Sequence, residues 1–227
     1  MHPSGLPNII KHQINTFLKM KTVLIAPINI AIIEDNRFIR KGFEIMLNSQ
    51  PAFKLIGSYQ DCEEAFTKVE IKEAKIILMD IKLPGISGIE GIKYLKNRFP
   101  EMLIIVCTAF EDDENIFKAI AAGAVGFISK KTSPKELLST LQNVLKGGSP
   151  ITPNVARNIL ASFAKQIKKS LKAESPLTAI ENNILEKISI GKSYINVANE
   201  LSVTEEEVLL QIRLIYEKLQ ERLVHLT

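Results

Sequence analysis

Lys75-Ile-Ile-Leu-Met-Asp80-Ile-Lys-Leu-Pro84-Gly85-Ile-Ser-Gly88 sets one acid at the end of an unbroken apolar run and follows it with a proline- and glycine-rich turn. Ile76–Met79 shows no polar alternation, so it reads as a strand buried on both faces, as in a parallel sheet. In an open α/β sheet, ligands bind beyond the carboxyl ends of the strands. Asp80 therefore stands where chemistry is expected.

Similar apolar runs flank it at Ile28–Ile33, Phe53–Tyr59, Leu103–Thr108 and Gly126–Ser129. Amphipathic stretches separate them: Arg37–Leu47, Cys62–Lys72, Gly88–Arg98, Glu111–Ala121 and Pro134–Lys146. Alternation of this kind predicts an α/β fold, a doubly wound, five-stranded parallel sheet with right-handed crossovers. Gly147-Gly148-Ser149-Pro150 stops the last helix and marks a domain boundary at residue 148.

Beyond it, residues 149–175 read as a largely helical linker, Pro153 to Lys172, carrying Lys165, Lys168, Lys169 and Lys172 and broken by Ser175-Pro176. Residues 176–227 read as a small all-α domain. Thr178 with Glu181 forms a capping box for a helix through Ser189, Ser193–Leu201 makes a second, and a third runs from Ser202-Val203-Thr204 to Val224. Residues 1–27 form an N-terminal extension with a weak helical spacing over Asn8–Lys19, and Met20 is a second candidate start.

The chain has 227 residues, 46% hydrophobic and 24% charged, which suits two small globular domains. A net charge of +4 permits a nucleic-acid partner without requiring one. Cys62 and Cys107 are the only cysteines, and Cys107 lies in an apolar run, which argues against a disulfide framework or a cysteine zinc site. Lys21–Ile33 is interrupted by Pro27 and Asn29 and is too short to span a bilayer. A cytoplasmic protein without membrane attachment is expected.

Four groups of residues fall at the carboxyl ends of different strands: Glu34 and Asp35, Asp80, Thr108 with Ala109, and Lys130. The fold brings those ends together. Clustered carboxylates repel one another unless a cation lies between them, and a hard ion such as Mg²⁺ suits oxygen donors. Asp80 could then act as a nucleophile on a phosphoryl group, with Lys130 neutralising its oxygens and Thr108 bonding the phosphate in place. Singly, each residue has an ordinary explanation as a turn, a cap or a solvated side chain; in this order, each at its own strand end, they point to one site.

Residues 28–148 resemble the receiver domain of two-component response regulators. The resemblance implies that Glu34 and Asp35 are the metal-binding pair together with Asp80, that Asp80 is the phosphoacceptor, and that Lys130 binds phosphate. It also implies that Thr108 is the switch hydroxyl and Phe127 the switch aromatic, turning inward when phosphate draws Thr108 in. The implied donor is a sensor histidine kinase or phosphotransfer protein, with homodimerisation following phosphorylation. His2, His12 and His225 lie outside the site, so the chain resembles the acceptor rather than the kinase, and it is not expected to be an enzyme.

Leu177-Thr178, Glu181, Ile184-Leu185, Gly191-Lys192-Ser193, Val197-Ala198, Leu201-Ser202-Val203, Val208, Ile215, Lys218 and Leu219 resemble the helix-turn-helix domain of LuxR/FixJ-type (NarL-like) regulators. In that family the third helix enters the major groove. Here Glu207, Leu209 and Gln211 replace its usual threonine, lysine and histidine, Ile195 replaces a lysine of the second helix, and the fourth helix is missing or fused with the third. Residues 176–227 hold five Lys/Arg against eight Glu, a net of −3, which removes much of the counterion-release contribution to DNA affinity. Lys192, Arg213 and Lys218 are the candidate DNA contacts. The output is then either phosphorylation-controlled transcription regulation by DNA binding, or dimerisation or partner binding through a Leu209, Leu210 and Leu214 face.

Overall fold

The computed structural model describes residues 26–109, 113–169 and 177–224. The N-terminal helix expected within residues 1–25, the break at Ser175-Pro176, the three histidines and the lysine side chains at the end of the linker helix lie outside the described residues.

Five strands form one parallel sheet in the order β2-β1-β3-β4-β5: β1 Ile28–Ile33, β2 Phe53–Tyr59, β3 Ile76–Asp80, β4 Leu103–Thr108 and β5 Gly126–Ser129. This is the flavodoxin-like order, with its switch point between β1 and β3. The connecting helices are α1 Arg37–Asn48, α2 Cys62–Thr67, α3 Gly88–Arg98, α4 Asp113–Ala122 and α5 Pro134–Leu145. Because successive strand residues face opposite sides, the largely apolar strands feed two cores. Ile30 and Ile32 pack with Phe43 and Leu47 of α1 and with Leu137 and Leu141 of α5. Ala31, Ile33, Ile77 and Met79 pack with Ile92 and Leu95 of α3 and with Ile116 and Ile120 of α4.

One predicted helix is two pieces. The stretch expected as Cys62–Lys72 stops at Thr67; Lys68 is extended (φ −92°, ψ 130°), and a 3-10 turn covers Val69–Glu73. The cause is packing phase. Ala65 and Ile71 are both buried, yet six residues of regular helix would place them well apart around the axis. The extended residue turns Ile71 back towards the core.

The C-terminal part consists of α6 Pro153–Lys169, α7 Ala179–Ser189, α8 Tyr194–Leu201 and α9 Glu205–Val224. Thr178 and Glu181 make the expected capping box on α7, and Thr204 and Glu207 exchange the same pair of bonds at the start of α9. The glutamate-rich first turn of α9 is thus, at Glu207, a helix cap. From Glu205 to Val224 the chain is one helix of 20 residues, with no separate fourth helix of the C-terminal part among the described residues. No described helix is long and apolar enough to cross a membrane.

Between α5 and α6 the chain lies along the open edge of β5, where the Phe127 N–H donates to the Pro150 carbonyl (3.0 Å). The Tyr194 hydroxyl, from the first turn of α8, accepts from Ile151 N–H and donates to Ile151 C=O (2.9 and 3.0 Å). The α4-side core also continues without a gap through Phe127 into Ile212, Ile215, Tyr216 and Leu219 of α9.

Cys62 and Cys107 are both buried free thiols. Burial, with Glu63 and other nearby acids adding to it, pushes the Cys62 thiol up to about 12, and burial drives Cys107 well above its usual value. Thiolate is the reactive species. The native protein at pH 8 should therefore resist a thiol reagent such as iodoacetamide, and both cysteines should label after denaturation; rapid native labelling of either would show that its burial is not as described.

Candidate functional site

β1 ends by delivering Glu34, buried at 1% exposure, and the exposed Asp35. Asn36 follows as the N-cap of α1, its side chain accepting from Phe38 and Ile39 N–H (3.0 and 3.2 Å). β3 delivers Asp80, β4 the buried Thr108, and the residue after β5 is Lys130, whose N–H donates to the Thr108 carbonyl (3.0 Å). Of the strand-end residues read from the sequence, Asp35, Asp80, Thr108, Ala109 and Lys130 line one cleft with Asn36, Ile39 and Lys82, and the buried Glu34 adjoins it through Lys130.

Lys130 Nζ binds two carboxylates at once, Asp80 Oδ2 at 2.7 Å and Glu34 Oε1 at 2.8 Å. Burial opposes its charge, but its hydrogen bonds to Asp80 and Glu34, with their negative charges, outweigh that, so the ammonium is held above its ordinary pKa. Glu34 moves upward too: burial is the main cause, and the Asp80 charge adds to it against the Lys130 bond. Glu34 Oε1 also accepts from Asn36 N–H (3.1 Å), while its Oε2 is buried without a hydrogen-bond partner. An orphaned carboxylate oxygen is costly in such a place.

Glu34, Asp35 and Asp80 each offer an oxygen, and these lie within 4.8 Å of one another. Three hard oxygen donors, one of them from a residue with an unpartnered buried oxygen, fit a divalent cation of the Mg²⁺ kind.

Two residues that shape the site, Arg40 and Glu63, carry no sequence signal. Arg40, on α1, donates to the carbonyls of Glu34 and Asp35 (2.5 and 3.1 Å). Glu63, on α2, accepts from Ile86 N–H (2.8 Å) and braces the loop after Asp80 across 23 residues of sequence. Gly88 begins α3 so close to β3 that a Cβ there would sit 1.9 Å from the Asp80 carbonyl oxygen. Only glycine lets the loop close over the acid.

Phe127 lies apart from the cleft, already buried at 2% exposure, because Tyr216 of α9 covers it with ring centroids 6.4 Å apart. The expected inward turn would therefore begin from a ring in contact with the C-terminal helices. Four residues of α9 at helical spacing make one stripe against the sheet-bearing part. Leu209 meets Gly148, Arg213 approaches Gly147, Tyr216 packs on Phe127, and Gln220 Nε2 donates to the Ala124 carbonyl (3.4 Å). α9 also runs along α4. The expected leucine face is split as a result: Leu209 is buried, while Leu210 and Leu214, about 100° and about 140° further round the helix, remain exposed.

The three cations expected to contact DNA are all in ion pairs. Lys192 pairs with Glu200, Arg213 Nε with Glu217 at 2.9 Å, and Lys218 with the buried Glu181 at 2.7 Å. Lys218 therefore has a structural task, tying α9 to the start of α7.

The response regulator receiver domain family matches residues 30–142. The uncharacterized transcriptional regulatory protein YxjL of Bacillus subtilis is 30% identical over 84% of this chain and 88% of its own length. LiaR of the same organism is 30% identical, over 85% and 90%. UhpA of Salmonella typhimurium is 29% identical, over 85% and 91%. Among solved structures, RcsB dimers bound to two parallel DNAs align with a TM-score of 0.55 at 21% identity, covering 89% of this chain and all of that one. A LuxR-family response regulator from Aurantimonas sp. SI85-9A1 aligns at 0.55 and 25% identity over 60% of this chain.

Proposed function

The chain belongs to the transcriptional regulatory response regulators, a regulatory rather than enzymatic family, and we propose that Asp80 accepts a phosphoryl group that controls a DNA-binding output in α7–α9. The receiver fold implies a kinase or phosphotransfer partner, and the donor we assign is a phosphohistidine on it. The observation that carries the reading is the placement of Lys130 between Asp80 and Glu34 beside an orphaned carboxylate oxygen. We assign residues 28–148 to the receiver, 149–175 to a linker and 176–227 to the output domain.

Transfer forms a bond between an Asp80 carboxylate oxygen and phosphorus as the P–N bond to the donor imidazole breaks, and the imidazole leaves with a proton. Glu34, Asp35 and Asp80 would hold Mg²⁺, which supplies charge neutralisation for the phosphoryl oxygens. Lys130, drawn from Glu34, pairs with a phosphoryl oxygen, and Thr108 donates its hydroxyl to another. Movement of Thr108 at the end of β4 frees space beside β5, so that Phe127 can leave Tyr216. The stripe of α9 then loses its central aromatic contact.

In the arrangement seen here α9, the helix that would enter a DNA groove, is packed on α4 and the start of β5. Phosphorylation would release it, and two released copies would bind DNA as a dimer, as the RcsB structure pairs on DNA. The leucine face of the partner-binding alternative is reduced, because Leu209 is covered within the molecule.

Selection from random DNA with the phosphorylated protein tests the output. A preferred sequence should be enriched, with an affinity that falls as salt rises and a shallow slope because few basic residues are available. Failure to enrich any sequence at low salt would leave α7–α9 without a DNA role.

A further inference from the structure

We propose that Arg40 is a positioning residue for the cation site, holding the Asp35 carboxylate in place by fixing the two peptide planes on either side of it. The proposal rests on the metal site described under the proposed function.

Arg40 Nη1 donates to the Glu34 carbonyl at 2.5 Å and the Asp35 carbonyl at 3.1 Å. Those carbonyls belong to the successive peptide groups that flank the Asp35 Cα. With both planes pinned, the direction of the Asp35 Cα–Cβ bond is set.

The other two acids do not need such help. Glu34 is buried and tied to Lys130 and the Asn36 N–H, and Asp80 is buried at the end of a central strand and tied to Lys130. Asp35 is the exposed member, two residues beyond β1, where neither sheet pairing nor burial fixes it. The backbone bonds from Arg40 therefore supply what position in the fold does not.

The choice of partner matters as well. A guanidinium beside two acids usually takes their carboxylates in a bidentate pair. Here it binds backbone carbonyls instead, so its donors do not compete with a cation for the Glu34 and Asp35 side chains. Arg40 is itself placed by α1, where its N–H bonds the Asn36 carbonyl (2.9 Å) and Glu44 lies one turn on. Its charge acts in the opposite sense, since a cation near a cation site weakens binding. The two effects predict opposite signs on removal, which makes the residue testable.

The test is titration of the full chain with Mg²⁺ by isothermal calorimetry for wild type, Arg40→Ala and Arg40→Lys, with melting in EDTA as the check on folding. Loss of outer-shell support typically weakens metal binding by about 10-fold to 100-fold. Arg40→Ala should weaken Mg²⁺ binding by about tenfold. Arg40→Lys, which keeps the charge and can reach one carbonyl, should fall between the two. With acetyl phosphate, Arg40→Ala should approach the wild-type maximal rate at saturating Mg²⁺, an effect on the Mg²⁺ requirement rather than on the transfer step.

Unchanged or tighter Mg²⁺ binding by a folded Arg40→Ala would overturn the positioning role while leaving the metal site intact. A wild-type chain that binds no Mg²⁺ would overturn both. If Arg40→Ala melts out in EDTA, Arg40→Lys decides: wild-type affinity in that variant also overturns the proposal.

Discussion

Asp80→Asn, incubated with acetyl phosphate and Mg²⁺, is expected to take up no phosphoryl group under conditions that label the wild type to completion. The carboxamide occupies nearly the same volume, so the strand and its pairing with β4 should survive. It is not a competent nucleophile, and it removes one of the three carboxylates that surround the cation position. It also leaves Lys130 with Glu34 as its sole ion-pair partner, which strengthens the competing contact. Loss of a covalent nucleophile typically costs at least about a thousandfold in rate. Intact-mass spectrometry reads the result, and undiminished labelling would place the acceptor elsewhere.

The second large effect concerns the contact between α9 and the rest of the molecule. Leu209 belongs to neither main core, yet it is only 4% exposed, because it rests against Gly148 at the end of α5. Leu209→Glu would bury an unpaired carboxylate only while α9 is docked. Once α9 is free, the side chain is in water. A penalty of about 3 kcal/mol for an uncompensated buried charge shifts such an equilibrium by roughly a hundredfold towards the released form. Small-angle scattering should report an increased radius of gyration for unphosphorylated Leu209→Glu, while Leu210→Glu, on the exposed side of the same helix, should scatter like the wild type. Equal dimensions for Leu209→Glu and the wild type would mean that the docked arrangement does not depend on this contact.

The receiver was legible because its information is local and periodic. Apolar runs such as Ile76–Met79 specify buried parallel strands, and a side chain immediately after each run has to appear at the carboxyl edge of the sheet. That alone brought Asp80, Thr108 and Lys130 together with the acids after β1. The supports were not legible, because they are long-range. Nothing near Glu63 indicates that it will bond Ile86, and Arg40 looks like any other cation on an amphipathic helix. The break at Lys68 was hidden for a related reason, since Cys62–Lys72 has an adequate helical pattern and only the placement of Ile71 shows that the phase is wrong.

In the C-terminal domain the pattern fixed the helices but not what they face. Leu209, Leu210 and Leu214 read as one surface in sequence, and packing on Gly148 divides them. The stripe Leu209, Arg213, Tyr216 and Gln220 has helical spacing, but two of its four members are polar, so hydrophobic periodicity could not reveal it. The same limit holds for the basic residues: the sequence shows the charge of Lys218 but not that it bonds Glu181 inside the domain.

Phosphorylation at Asp80 and release of α9 form one claim, and hydrogen–deuterium exchange on the full chain tests it most directly. Exchange is compared with and without acetyl phosphate and Mg²⁺, in wild type and in Asp80→Asn. The account predicts faster exchange in wild type over α4, the start of β5 and α9 once phosphate is bound, and no change in Asp80→Asn. Phosphorylated wild type whose α4 and α9 exchange at the unphosphorylated rate would contradict it.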